Sequence, residues 1–423
     1  MVAVCAFVDV VANPGLTTYA SQQIAAHRES AFELVPGIVG LRLCGSLMAL
    51  LVLMGIGWSE RGHEAWVLFL IYGCGLFLMN LTGAEYLLNA LEMFHVSSGL
   101  RIAQQMIYAA GIFLLIRGPK DIYWLPIAIF ASSFITNIAG WFFLARRGLR
   151  FGLSFKMAQW KAILIPSLHY GASSFMSSVY HRAGHIIVRW LLGDYALGLY
   201  AAAVRLVDFI RNLVGVFLSV VSPRMARAVH SDAEFRRWAQ AALIIVVVIS
   251  VPLTVGLMAT SSLIVPWILG QKYRAAVSLV KWISPYIITA SAASLLSGTI
   301  LYAMGKHREY LISTSTGAGA GLVLYCVLIP AFGLTGAAVA FVLGEVFVAV
   351  AAYWCLPGQL KGLWRNPMLG MAVVSALIMF GAIRIVNNYD SQPWIVISTG
   401  ALVYMALCGW YFRRWMINRF RSA

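Results

Sequence analysis

The sequence predicts an all-α, polytopic integral membrane protein. Of its 423 residues, 61% are apolar and only 11% are charged, and the mean hydropathy is +0.83. Soluble domains are about 45–50% apolar and about 25% charged, so this chain has too few charged side chains to cover a surface that faces water. The composition therefore excludes a soluble enzyme, a secreted disulfide scaffold and a disordered protein.

The apolar stretches are long enough to cross a bilayer many times. A spanning helix needs about 20 mainly apolar residues because the hydrocarbon core is about 30 Å thick. The sequence predicts thirteen spans with short connections and no inserted soluble domain. They cover 2–20, 34–57, 65–84, 99–116, 122–144, 162–190, 196–221, 239–269, 276–303, 310–329, 333–356, 368–386 and 393–412.

Basic residues outside the spans lie mainly on one side. Alternate loops and the C-terminal tail hold 18 of them: Arg28, Arg146, Arg147, Arg150, Lys156, Lys161, Arg224, Arg227, Arg236, Arg237, Lys306, Arg308, Lys361, Arg365, Arg413, Arg414, Arg419 and Arg421. The other loops hold five: Arg61, Arg117, Lys120, Lys272 and Arg274. Lysine and arginine collect in cytoplasmic loops, so we expect a cytoplasmic C-terminus, and we attribute the net charge of +16 to these loops and not to nucleic-acid binding. Thirteen spans would then place Met1 outside, and we expect one further span upstream.

Several motifs resemble those of a known transporter family. Gly193–Leu206 (GDYALGLYAAAVRL), Leu301–Lys306 (LYAMGK) and Ile329–Ala340 (IPAFGLTGAAVA) resemble the start of helix eight, the end of helix ten and the hairpin of helices eleven and twelve in bacterial polysaccharide flippases. Residues 7–25 resemble helix two of that family, which agrees with a missing first span. The family includes the Wzx-type O-antigen and lipid-linked oligosaccharide flippases of the multidrug/oligosaccharidyl-lipid/polysaccharide exporter superfamily.

The resemblance implies two pseudo-symmetric helical lobes around a central cavity that opens alternately to the two sides. The lobes would be 1–144, lacking its first helix, and 162–356. A basic cytoplasmic linker would cover 145–161, and 357–423 would add two transmembrane helices and a basic tail. The implied function is translocation of a polyprenyl-diphosphate-linked oligosaccharide from the cytoplasmic to the outer leaflet of a bacterial inner membrane, for a surface polysaccharide such as the O-antigen of lipopolysaccharide. Implied partners are this lipid-linked glycan, the bilayer and other polysaccharide-assembly membrane proteins.

Cations within the spans are candidates for binding the diphosphate, because charges in lipid are costly and usually face a partner or a cavity. Arg42 lies about eight residues, or roughly 12 Å, into its span, where it either pairs with another helix or faces water. Arg205, Asp208 and Arg211 lie at i, i+3 and i+6. Asp208 can reach both arginines as a local salt-bridge cluster, yet two positive charges against one negative leave a positive site, which predicts a water-filled lumen or an anionic substrate.

A basic stripe precedes this group in the chain. It consists of His181, Arg182, His185 and Arg189, of which 181, 185 and 189 share one helix face. Two histidines at i and i+4 can bind zinc, but the neighbouring arginines repel a cation, so we expect an anion-attracting stripe or an ordinary basic outer mouth. In relatives an aspartate is common near this place, where Gly184 stands here.

Acidic residues within the spans are candidates for energy coupling. Asp9, Asp208 and Glu345 are of this kind, since a desolvated carboxylate can hold a proton or sodium ion near neutral pH. Helix capping or an interhelical hydrogen bond is the structural alternative for Asp9 and Glu345.

The sequence contains no catalytic constellation. No GxxxxGK[ST], HExxH or GxSxG motif is present, and the six cysteines form no CxxC pair. We therefore expect no enzyme activity, no cofactor and no metal site. Two other functions stay open: a multidrug or organic-cation antiporter of the same superfamily, which would need acidic lumen residues, and a membrane glycan polymerase or glycosyltransferase, which would need a large external loop or domain.

Overall fold

The structure is a computed structural model that describes residues 8–9, 12–26, 31–59, 63–91, 93–118, 121, 123–149, 151–364, 366–389 and 392–421. Helices dominate the described chain. They are α1 (Leu16–Ala26), α2 (Ala31–Ser59), α3 (His63–Thr82), α4 (Glu85–Ala90), α5 (Phe94–Leu115), α6 (Trp124–Ala145), α7 (Met157–Arg227), α8 (Asp232–Ile268), α9 (Ala276–Ile283), α10 (Tyr286–Ala293), α11 (His307–Cys355), α12 (Gly358–Lys361), α13 (Pro367–Tyr389) and α14 (Pro393–Arg421). A π-helix, Ser294–Leu301, continues α10.

Twelve of the predicted spans, from 34–57 onward, coincide with these helices. The first, 2–20, lies partly outside the described residues. Its described part bends at 13–15, and α1 begins only at Leu16. Pro14 and Gly15 account for the bend, because proline cannot donate a helical hydrogen bond and Gly15 has a φ of 71°.

Within the described residues, seven helical segments are long and apolar enough to cross a membrane. They are Glu33–Trp58, Trp66–Ala90, Trp124–Ala145, Asp232–Ile268, Ala276–Leu301, His307–Cys355 and Pro367–Asn387. The segment Pro393–Gly409 is apolar but shorter. The chain is therefore an all-α, multi-pass membrane protein, as the sequence predicts. Helices α5, α7 and α14 are not among the seven, so the spans placed on them stay predictions.

Two glycines interrupt long helices where the sequence predicts a new span. Gly193 in α7 has φ 84° and ψ 179°, and Gly333 in α11 has φ 57° and ψ −135°. Side chains rarely adopt such positive φ values, whereas glycine adopts them at little cost. Each glycine therefore lets the chain turn between two apolar segments.

The chain forms two compact units, Met1–Val179 and Tyr180–Ala423. In the first unit, apolar residues of α1, α2 and α4 form the largest core cluster, which includes Leu16, Ile24, Ile38 and Leu87. A smaller cluster joins α2 and α3 through Leu53, Phe69, Tyr72 and Leu76. The division of the chain into lobes and linker that the sequence predicts stays a prediction.

In the second unit the main core runs from the C-terminal part of α7 through α8–α11. Tyr200, Tyr286, Tyr325 and Phe341 are its largest fully buried side chains. A separate cluster packs α13 and α14 onto α8. This packing fixes the last two helices to the unit that contains most of the charged site residues.

A cross-helix hydrogen bond strengthens the contact between α8 and α14. Pro252 lies inside α8 and has no N–H, so the carbonyl of Val248, four residues earlier, lacks its usual helical donor. The hydroxyl of Tyr404 in α14 donates to this carbonyl at 2.7 Å. Tyr404 thus satisfies a backbone group that the proline leaves free, as helices in lipid require.

Candidate binding site

Arg42 is a buried cation held by the connection between α3 and α4. Its side chain is 5% exposed. Its Nη1 donates to the carbonyl of Gly83 at 3.2 Å, and its guanidinium carbon lies 5.0 Å from the centre of the Tyr86 ring. Its Nε is buried and has no hydrogen-bond partner among the described residues. Of the two arrangements that the sequence leaves open, the structure therefore shows contact with neighbouring helices, while a role in substrate binding stays a prediction.

Asp9 lies in the same unit and has a neutral partner. The Nδ2 atom of Asn80 donates to its Oδ1 at 2.8 Å. This is the interhelical hydrogen bond that the sequence leaves open as the structural alternative.

Residues of the basic stripe on α7 contact other side chains. Arg189 donates from Nε to Asp194 at 2.8 Å, and both side chains are more than half exposed. His185 lies edge-on to the buried Tyr200, with 5.2 Å between ring centres. Arg182 is half-buried, and the side chain of His181 lies outside the described residues. No three potential metal ligands cluster in the described part of the chain.

Tyrosine occupies the space beside Gly184. A Cβ atom at Gly184 would lie 2.7 Å from the hydroxyl and ring of Tyr325, which is closer than side chains tolerate. The Tyr325 hydroxyl also lies 3.4 Å from the hydroxyl of Tyr200. An aspartate at this position would therefore displace Tyr325, which forms a buried pair of phenols with Tyr200.

The three charged residues in the second half of α7 have different surroundings. Arg205 is exposed, and no acidic side chain in the described residues forms a close ion pair with it. Arg211 is half-buried, and its Nη2 donates to the Ser294 hydroxyl at 2.6 Å. The Tyr286 hydroxyl donates a hydrogen bond to the Asp208 carboxylate, and Arg211 lies near the same carboxylate. Asp208 therefore has a partner on α10, and Arg211 has one on the π-helix that continues α10. Among the described residues, Asp208 forms no close ion pair with Arg205 or Arg211, so the local cluster that the spacing allows is not formed.

The Tyr286 hydroxyl lies near acidic residues of two different helices, Asp208 and Glu345. Its ring stacks on Phe341, with 4.3 Å between ring centres. Glu345 follows Phe341 by one helical turn, is 6% exposed and lies in the electrostatic environment of the Tyr286 hydroxyl. Asp208 and Glu345, which the sequence names separately, are therefore brought to one tyrosine.

The predicted residues thus fall into separate groups. Arg42 and Asp9 belong to the first unit, whereas Asp208, Arg211 and Glu345 meet around Tyr286 in the second. The sequence interpretation considered charged residues alone and missed the tyrosines. A signal for them was present, because a hydroxyl within a membrane span needs a partner.

Comparison with known families decides what kind of protein this is. A family model described as polysaccharide biosynthesis protein matches residues 1–229, more than half of the chain. The chain belongs to this family. The resemblance drawn from the sequence motifs is thereby confirmed. No curated protein sequence matches the chain.

Solved structures share the fold over most of the chain. The lipid II flippase MurJ, in an inward closed conformation, is 15% identical with a TM-score of 0.76, covering 97% of this chain and 90% of that protein. An outward-facing multidrug resistance MATE family transporter of the MOP superfamily is 13% identical with a TM-score of 0.61, covering 85% and 87%. A MOP superfamily transporter from Pyrococcus furiosus, described as having a binding pocket of reverse polarity, is 12% identical with a TM-score of 0.62, covering 86% of each chain. The chain therefore has the fold of MOP-superfamily transporters.

Proposed function

We propose that this protein flips a polyprenyl-diphosphate-linked oligosaccharide from the cytoplasmic to the outer leaflet of a bacterial inner membrane, by alternating access around a cationic cavity. The product would enter assembly of a surface polysaccharide such as O-antigen. The polysaccharide biosynthesis family and the likeness to the MurJ fold support this substrate class. The protein would act as a transporter without enzyme activity, with its C-terminus in the cytoplasm.

Arg205 is the observation that carries this proposal. It lies nine residues into the predicted span 196–221, or about 13 Å along the helix axis, close to the middle of a core about 30 Å thick. It is exposed and has no ion-pair partner among the described side chains. A cation at this depth is stable only beside water or an anion, and its planar guanidinium matches the oxygens of a diphosphate.

Arg211, Arg42 and the stripe of His181, Arg182, His185 and Arg189 would assist by attracting the anion. Coupling to an ion gradient would use Asp9, Asp208 and Glu345. The arrangement around Tyr286 supports the last two, because the Tyr286 hydroxyl contacts Asp208 and interacts electrostatically with Glu345, so a change of charge at Glu345 acts on the partner of Asp208. No step of this scheme requires a cofactor.

A leaflet-specific assay tests the proposal. The purified full chain is reconstituted into vesicles that contain an NBD-labelled polyprenyl-diphosphate disaccharide, and dithionite, which does not cross the membrane, quenches the label on the outside. We expect the protein to expose the inner-leaflet probe, so that quenching goes almost to completion, whereas protein-free vesicles keep the inner-leaflet signal.

A multidrug antiporter would transport an organic cation and would not expose the glycan probe. Vesicles loaded with ethidium and given a proton or sodium gradient report transport of an organic cation. Ethidium transport without exposure of the glycan probe would overturn the proposal in favour of a multidrug antiporter. A vesicle signal identical to the protein-free control with both probes would overturn it as well.

A further inference from the structure

The exposed face of the second half of α7 carries more than one polar feature. Gly198, Arg205, Phe209 and Asn212 lie on it at spacings of about two turns, one turn and one turn, and all four are exposed. On the opposite face Tyr200, Ala203, Val207 and Val214 are buried in the core of the second unit. The helix is thus packed on one side and open on the other. The open side also carries Leu213, Val216 and Phe217, and we define the open stripe as Gly198, Arg205, Phe209 and Asn212.

Arg205 distinguishes this open stripe from an ordinary lipid-facing surface. Phe209 by itself, 70% exposed, would be an ordinary lipid-facing side chain. Arg205 lies one turn before it on the same line, near the middle of the predicted span, where lipid contact would be very unfavourable for a guanidinium. Because residues four apart share a face, the surface that solvates Arg205 also reaches Phe209 and then Asn212.

The order of side chains along the stripe matches the order of groups in a lipid-linked sugar. At 1.5 Å per residue, Phe209 lies about 6 Å and Asn212 about 10 Å beyond Arg205 along the axis. Before Arg205 the stripe is open at Gly198, because an added Cβ there would meet no atom within 4 Å. Along the stripe, Arg205 therefore lies between the open position at Gly198 and the aromatic side chain of Phe209.

We propose that Phe209 and Asn212 form a sugar subsite next to the diphosphate site at Arg205. The inference rests on the proposed function. The ring of Phe209 covers the apolar C–H face of the first sugar, and the amide of Asn212, which both donates and accepts hydrogen bonds, contacts its hydroxyl or acetamido groups. Arg205 binds the charged group that every such lipid shares, and Phe209 and Asn212 distinguish a glycosylated lipid from a bare one.

Two fluorescent probes separate these roles. One is polyprenyl diphosphate that carries a single N-acetylhexosamine, and the other is the same polyprenyl diphosphate without a sugar. Binding of each to the full chain in nanodiscs is measured by fluorescence anisotropy. The wild-type chain is expected to bind the sugar probe more tightly than the bare probe. Phe209→Leu is expected to weaken binding of the sugar probe about two- to tenfold and to leave binding of the bare probe unchanged.

Leucine keeps the apolar bulk that a lipid-facing residue would need, so the substitution tests the aromatic face and not burial. Phe209→Trp should retain discrimination between the probes. Phe217→Leu is the matched control, because Phe217 lies on the same helix, is 48% exposed and lies about 12 Å beyond Phe209 along the helix axis. It should bind both probes as the wild type does.

Equal binding of the sugar probe by wild type and Phe209→Leu would overturn the subsite and leave the proposed function intact. Equal binding of both probes by the wild type would also overturn the subsite. If the wild type bound neither probe, the proposed function would itself be contradicted, and the subsite with it.

Discussion

The hydrogen bond from Tyr404 to Val248 provides a quantitative test of how the second unit is held together. Tyr404→Phe removes only the hydroxyl, so the apolar contacts of the 7%-exposed ring remain. The carbonyl of Val248 then loses a donor at 2.7 Å, and Pro252 supplies none from within the helix. An unsatisfied buried carbonyl costs about 1–3 kcal/mol, and side-chain hydrogen bonds in membrane proteins reach about 1.7 kcal/mol. We expect Tyr404→Phe to lower the free energy of unfolding by about 1–2 kcal/mol.

The second half of the test uses Pro252→Ala. Alanine at 252 restores an N–H that can donate to Val248, so the hydroxyl of Tyr404 becomes largely redundant. In this background the loss caused by Tyr404→Phe should fall below about 0.5 kcal/mol, which gives a coupling energy of about 1 kcal/mol between two residues on different helices. Unfolding is followed by circular dichroism in mixed micelles with increasing SDS. Equal losses in both backgrounds would refute the claim that Tyr404 compensates for Pro252.

Two further predictions concern the second unit. Gly336→Ala should destabilise the protein by about 1–3 kcal/mol, because a Cβ there would lie 1.9 Å from the Leu328 carbonyl, whereas Gly319→Ala in the same helix meets open space and should be tolerated; similar thermal unfolding of the two variants would contradict this. Tyr286→Phe keeps the stacked ring but removes the hydroxyl that contacts Asp208, so stimulation of flipping by an imposed proton or sodium gradient should fall about fivefold with unchanged probe binding. An undiminished response to the gradient would exclude Tyr286 from coupling.

Much of the fold follows from the sequence because a bilayer imposes a simple rule. Each span must be a helix of sufficient length, so apolar runs locate helices, and Gly193 and Gly333 mark where two runs must turn. The bend at residues 13–15 also has a local cause in Pro14 and Gly15. Helix positions and turns of this kind depend on residues that are close together in the sequence, so the sequence pattern predicts them.

The surroundings of the charged residues follow less well from the sequence. Arg42 contacts the carbonyl of Gly83 on the connection between α3 and α4 and the ring of Tyr86 in α4. Asp208 contacts Tyr286 although two arginines lie within its own helix. Helical spacing lists only the partners on one element. Partners on other helices depend on how the helices pack, which helical spacing does not report. The partner of Asp208 is the uncharged hydroxyl of Tyr286, which a comparison of charged residues does not find.

Arg205 gives the most direct test of the central claim, that a cation in the middle of the membrane holds the diphosphate of a lipid-linked glycan. The initial rate of NBD-glycan flipping is compared among wild type, Arg205→Ala, Arg205→Lys and Arg384→Ala. Arg384 is the matched control, because it is an exposed arginine of α13 that lies over the Phe380 ring of its own helix. We expect Arg205→Ala to lower the rate about tenfold or more, Arg205→Lys to retain part of it because lysine keeps the charge without the planar fork, and Arg384→Ala to match the wild type. Equal rates for Arg205→Ala and Arg384→Ala, with both proteins folded, would contradict the claim.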